Sequence, residues 1–317
     1  MTCDGCPPKF NAEFPPCFQK YVGFRSHRNP GNISELHYLA HRIKPILLDG
    51  IELDYVHRLL SNKSIIANWV LSHNKPSGFR CGGVYTAQIH DNIMQTPTIR
   101  ADINPTTLST NIGLLYYPFR CLRLETDMQR AAEDAPLQTQ TCIEFCSSGS
   151  TLTTNLYDIR RDSGRATLSF LRSINDNLAL GAELLLEWTD PRSMMTDTAF
   201  AGRYRRHSYS IAASVSRQGI DVSYWQRIHP HVQLASLWAW QRKTDKSVGT
   251  LCYQWDFKEA HVRGMFDSNL SVGFMYSRYL SHIPLSMAFS LFISLHTNKF
   301  IFGLKLNLDP CGLQRGE

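Results

Sequence analysis

KFIFGLKLNL, residues 299–308, places Phe300, Phe302, Leu304, Leu306 and Leu308 on one parity, and Ile301, Gly303, Lys305 and Asn307 on the other. As a strand, one face is continuously apolar and the opposite face mostly polar or small. A soluble sandwich supplies such strands too. Here the same alternation recurs along most of the chain. Leu178, Leu180, Ala182, Leu184, Leu186 and Trp188 oppose Gly181, Glu183 and Glu187, and Leu270, Val272, Phe274 and Tyr276 oppose Ser271, Gly273 and Ser277. Leu285, Met287, Phe289, Leu291 and Ile293 oppose Ser286, Ala288, Ser290 and Ser294. The repetition predicts a closed barrel whose outer face meets lipid.

Working outward, residues 47–308 divide into about nineteen segments of about fourteen residues per strand and turn, which suits membrane strands of about 9–11 residues with tight connections. Turns are expected at Asn74–Gly78, Asp162–Gly164, Asn175–Asn177 and His229–Pro230. Before the strands, Asn29-Pro30-Gly31 marks a turn, and Asn32 with Glu35 has the spacing of a capping box. Ile33, Leu36, Leu39, Ala40 and Ile43 then recur at helical spacing until Pro45, which predicts one short amphipathic helix packed against the rest of the fold. The expected organisation is a tail at 1–28, a turn and helix at 29–46, a barrel at 47–308 and a second tail at 309–317.

Composition agrees with a folded chain: 317 residues, 43% hydrophobic, 19% charged. No apolar run reaches the roughly 18 residues of a transmembrane helix. A mean hydropathy of -0.25 does not exclude a membrane barrel, because lipid-facing residues occupy every second position. Neither a secretory signal nor an Arg-rich transit segment is read at the N-terminus. The net charge of +6 is modest, and no run of basic residues interleaved with aromatics suggests nucleic acid. Nine cysteines lack a disulfide framework. Cys3 and Cys6 are read as exposed structural cysteines, since a closed zinc site needs four ligands. No nucleophile elbow, phosphate loop or metal-spaced cluster appears, so neither catalysis nor a cofactor is expected.

The charged face must be the inside, because a charge facing lipid at mid-bilayer costs about 2–4 kcal/mol. By parity Glu52, Asp54, Glu125, Asp127, Glu144, Glu183, Glu187, Asp221 and Asp256 point inward, with Arg58, Arg123, Arg165, Arg206, Arg227, Lys258, Arg263 and Lys305. Most of the acids precede residue 190 and most of the bases follow it. Trp188, Tyr209, Tyr253, Trp255, Tyr276 and Tyr279 are read near strand ends as interfacial girdles.

The order of the motifs carries a resemblance. Asn29-Pro30-Gly31, Glu35-Leu36-His37, Asp49-Gly50 and Leu60-Ser61-Asn62 are followed by LALGAEL (178–184), FAGRY (200–204), FDSNLSVGF (266–274), PLSMAFSLF (284–292) and NKFIFGLKL (298–306). Over roughly residues 29–308 the chain resembles the channel-forming subunit of the mitochondrial outer-membrane protein translocase, in the eukaryotic porin superfamily. The resemblance implies an all-β barrel of nineteen strands with the first and last parallel, about 48–60 and 297–308, and a helix at 33–44 inside the pore. It implies a C-terminal sorting signal matched by Gly303, Leu306 and Leu308, with Ile301 where the family's signal has a polar residue. It further implies import of presequence-bearing precursor proteins, receptor and small single-span partner subunits of the TOM complex, a second copy of the chain, and a lipid surround. For basic, amphipathic presequences the nine acids are read as an attractive path. The alternative is that they hydrate the lumen and pair across strands. A metabolite or anion channel and a soluble β-rich binding protein are the other readings of the chain.

Overall fold

A computed structural model describes residues 29–308 apart from 61, 73–76, 88–96, 120, 133–134, 161–162, 191–192 and 281–283. Cys3 and Cys6 and both expected tails lie outside the described residues. Nineteen strands follow one another: β1 Gly50–Leu60, β2 Lys63–Leu71, β3 Gly78–Thr86, β4 Thr98–Ile103, β5 Thr110–Phe119, β6 Leu122–Arg130, β7 Gln138–Cys146, β8 Ser150–Tyr157, β9 Gly164–Ser173 and β10 Leu178–Asp190. The second half comprises β11 Ser193–Arg205, β12 Tyr209–Ser216, β13 Gly219–His229, β14 Val232–Gln241, β15 Lys246–Asp256, β16 Ala260–Asp267, β17 Ser271–Leu280, β18 Leu285–Ser294 and β19 Lys299–Leu308.

Each strand pairs antiparallel with its sequence neighbours, and β1 pairs parallel with β19, so the sheet closes on itself. The odd strand count forces that one parallel seam. Alternation sorts the faces as expected. Outward side chains include Leu180, Phe200, Trp238, Leu251, Phe274 and Phe302, all well exposed in the isolated chain. Most inward positions are small or polar, with Thr151, Thr153, Thr167, Ser169, Ser223, Ser277 and Ser290 buried, while Leu171, Trp225, Met265 and Met275, and a separate cluster of Val56, Ile66 and Val84, are apolar. A barrel of this strand number is too wide to fill with side chains and leaves an aqueous lumen.

The seam begins where two glycines are opposed, Gly50 and Gly303. Gly50 has φ +77, and a Cβ there would lie 1.9 Å from the Leu71 carbonyl oxygen. Only glycine fits both the conformation and the space.

Residues 29–48 lie inside the barrel as a strap along its wall. The expected single helix is instead a 3-10 turn, Ile33–Glu35, and one α-helical turn, α1, Tyr38–His41. Between them His37 stands at φ -91, ψ 4, outside helical geometry, with its ring bonded to the wall. Docking thus breaks the run that its periodicity alone would continue. Asn32 caps the first turn by accepting from the Ser34 N–H at 3.3 Å.

The strap descends the wall strand by strand. Ile33 and Leu36 pack on Leu171 of β9, Ala179 of β10, Ala201 of β11 and Ala212 of β12. Ala40 and Ile43 pack on Trp225 of β13, Ala235 of β14, Cys252 of β15 and Met265 of β16. Leu48 reaches Met275 of β17 and Ala288 of β18. Each fully buried Ile or Leu contributes about 1.5–3 kcal/mol. Alanines on the lumen face make room for the strap.

Candidate lumen site

Polar anchors fix the strap at both ends. Asn29 Nδ2 donates to the carbonyls of Ser147 at 2.7 Å and Ser150 at 3.2 Å, and its Oδ1 accepts from Thr151 Oγ1 at 2.9 Å. Arg203 Nη2 donates to the Pro30 carbonyl at 2.5 Å. At the far end Ser290 Oγ accepts from the Leu48 N–H at 2.8 Å and donates to its carbonyl at 3.1 Å. Midway, His37 Nδ1 lies 2.7 Å from Ser223 Oγ, and Nε2 lies 3.3 Å from Ser214 Oγ. Burial, the neighbouring His41 and the opposing pull of Asp221 together leave His37 below its ordinary pKa. His41 is lowered too, by burial first and then by Lys44.

The strap covers the wall from β8 to β18 and ends against Gly303 of β19. Along β1 to β7 the wall is bare of it and carries ion pairs. Lys305 Nζ lies 2.7 Å from Asp54 Oδ2 and 3.3 Å from Glu52 Oε2, and Asn68 Nδ2 also donates to Asp54. Arg80 Nη2 lies 2.8 Å from Asp102 Oδ2, while Arg100 Nε lies 3.5 Å from Asp102 Oδ1. Arg123, buried, pairs with Glu125 and, at 3.2 Å, with Glu144. Cys146 Sγ donates to Glu144 Oε1 at 3.1 Å.

All nine acids read as inward take the lumen-facing parity of their strands. They do not act alike. Glu52, Asp54, Glu125 and Glu144 are locally neutralised by Lys305 and Arg123. Asp256 accepts from Gln254 Nε2 at 2.7 Å and from Gln233 Nε2 at 3.4 Å. Among the described residues Asp127, Glu183, Glu187 and Asp221 form no ion pair within 4.0 Å. Glu183 faces Ser169 and Ala199 across its two ladders, and Glu187 faces Arg165 and Met195.

Two bases were placed on the wrong element by parity. Arg206 and Lys258 stand in the turns after β11 and β15, where the chain has left the sheet to reverse direction. Parity also misses Asp102, Arg80 and Arg100: β3 is interrupted by Gly82 and Gly83, and β4, though it alternates, has only six residues. In β19 Gly303 faces the lumen, and a Cβ there would lie 2.4 Å from the C, O and Cβ atoms of Leu48. Leu306 and Leu308 face outward, and Ile301 shares the lumen parity of Gly303.

A closed barrel with an apolar outer belt, a charged and hydroxyl-lined interior and a strap docked inside it is a membrane channel of the porin type. The family model described as eukaryotic porin matches residues 29–303, and the chain belongs to that family. Curated relatives carry the name mitochondrial import receptor subunit TOM40 homolog. That of Xenopus laevis is 27% identical over 287 residues, covering 88% of this chain and 84% of the relative. That of Caenorhabditis briggsae is 25% identical, covering 83% and 88%, and the human one 26%, covering 88% and 78%. Among solved structures, a triple mutant of Rhodopseudomonas blastica porin aligns with a TM-score of 0.48 and 12% identity, covering 70% of this chain and 94% of that one. The chain is a multi-pass β-barrel channel of the mitochondrial outer membrane, TOM40-like and divergent at about a quarter identity.

Proposed function

We propose that the barrel conducts unfolded precursor polypeptides bearing basic, amphipathic presequences across the outer membrane. It would do so in a complex with receptor and small single-span subunits and a second copy of itself. The observation that carries this reading is the match to import receptor subunits, which extends over 88% of the chain. The lumen supports it physically. With the strap flat against one wall, a hydrated passage remains, and Asp127, Glu183, Glu187 and Asp221 offer carboxylates to a passing cation. Attraction by a few solvated charges is weak enough to release the substrate. On this reading the acidic path narrows from nine residues to those four. Gly303, Leu306 and Leu308 are proposed as the sorting signal for assembly.

An anion-preferring metabolite channel is the second reading, favoured by Arg42 and Lys44, both exposed on the strap. Single-channel recording in planar bilayers separates the two, with a basic presequence peptide and a helix-breaking scramble as probes. Cation preference with voltage-dependent block by the presequence alone is expected. Anion preference without specific block would replace import by metabolite passage.

A further inference from the structure

Closure should leave a barrel without a free strand edge, yet one hairpin outgrows its neighbours. β10 and β11 are thirteen residues each, whereas β12 has eight. β11 pairs with β10 from Ser193 to Tyr204 but with β12 only from Ala199 to Arg205. Residues 193–198, SMMTDT, are therefore laddered on one side alone.

Backbone direction is fixed by two turn bonds. The Arg205 N–H donates to the Asn177 carbonyl on the β10 side at 2.8 Å, and the Arg206 N–H to the Tyr209 carbonyl on the β12 side, also at 2.8 Å. Alternation then aims the N–H and C=O groups of Met194, Thr196 and Thr198 at the open side. The Thr198 N–H is satisfied by Asp197 Oδ1 at 2.8 Å. Among the described residues no strand pairs with Met194 or Thr196 there. An open ladder in hydrocarbon costs several kcal/mol per group, so this overhang stands in water at a mouth of the pore.

Its side chains suit a polypeptide. Met194 and Met195 are 61% and 68% exposed, and methionine adapts to varied apolar partners. Asp197 and Met195 share the lumen parity, and Met195 is the register partner of Glu187. A strand added here would set its lumen-facing side chains beside one carboxylate and one methionine, which selects a basic residue and an apolar one. A second copy in the same membrane orientation does not fit. Barrel strands tilt by about 35–45°, so a two-fold axis along the membrane normal would cross the two edges rather than align them.

We infer that the β11 edge is a docking strand for an extended, basic-apolar segment of a polypeptide in transit, captured at the pore mouth by strand addition. The inference rests on the protein-conducting reading. It is tested on the full chain reconstituted in bilayers, with a photoreactive residue at Met194. The probe is a soluble peptide alternating lysine and valine, and the control peptide has the same composition at helical spacing. Cross-linking is expected for the alternating peptide only. Thr196→Pro removes an N–H that no barrel strand accepts and should lower the yield about fivefold, the worth of one net hydrogen bond. Thr196→Val keeps the N–H and should retain the yield, while Asp197→Lys should reduce it. Equal yields for wild type and Thr196→Pro, or none from wild type, would overturn the inference. Presequence block persisting without cross-linking would discard the edge but keep the conducting reading, whereas absence of any block would discard both.

Discussion

Lys305 on the last strand places its Nζ 2.7 Å from Asp54 Oδ2 on the first. The parallel seam is thereby held by charge as well as by its ladder, and Glu52, the register partner of Lys305, is drawn into the same cluster at 3.3 Å. Lys305→Ala would leave two carboxylates facing each other at the one junction made by the chain's two ends. The expected cost is on the order of 2–3 kcal/mol, at or below the low end for a buried pair because lumen water screens it. A lowered thermal midpoint in detergent checks this, and the variant should also show stronger cation preference in a salt gradient. An unchanged midpoint would mean that the ladder alone holds the seam.

Gly303 carries a second constraint at the same place. Since the backbone of Leu48 crosses 2.4 Å from where a Cβ would sit, Gly303→Ala should force the strap off the wall. Overpacking of this kind costs about 1–3 kcal/mol. Leu48→Ala should not rescue it, because the obstructing carbonyl remains. Protease sensitivity of residues 29–48 in the folded protein reads the outcome, and rescue by Leu48→Gly, which alone removes the Cβ, would show that the contact is with the side chain only.

The barrel was legible because lipid imposes a strict period of two: in β10, β13, β17, β18 and β19 the outward residue is apolar nearly every time. The strap was half legible. Ile33, Leu36, Ala40 and Ile43 marked its buried face, but the break at His37 depends on Ser223 and Ser214, which lie more than 170 residues away. Ion pairing was the least legible part. Parity shows which way Asp54 or Arg123 points, whereas partnership depends on register, and the Lys305 to Glu52 contact spans 253 residues. Counting inward charges therefore overstated the free acids, since four of the nine are neutralised across or along strands.

The strap should respond to acid. His37 and His41 both sit below their ordinary pKa when docked, so the released segment binds protons more readily than the docked one. Docking is then fully favoured above the free histidine value of about 6.5 and weakens as pH falls through it. The trend levels off once the docked rings are protonated as well. Asp221 opposes the effect on both rings, and Lys44 reinforces it on His41. Hydrogen exchange at residues 33–43 should quicken between pH 7.5 and pH 5.5, to be checked by mass spectrometry. His37→Gln with His41→Gln should flatten the dependence, and a slope that survives both substitutions would assign it to another group.

The free acids make the sharpest demand on the conducting reading. Glu183 and Glu187 lie two turns of the pleat apart on one lumen-facing row of β10, and neither has an ion-pair partner within 4.0 Å among the described residues. Reversing both to lysine replaces an attractive row by a repulsive one without touching the strap or the seam. The on-rate of block by a basic presequence peptide should fall about tenfold at low salt, with the gap closing as salt rises past the point where the Debye length drops below the lumen radius. Lys305→Ala should act in the opposite direction by unmasking Glu52 and Asp54. A block rate indifferent to both changes would mean that these carboxylates only hydrate the lumen, and that presequences are held by its apolar surface instead.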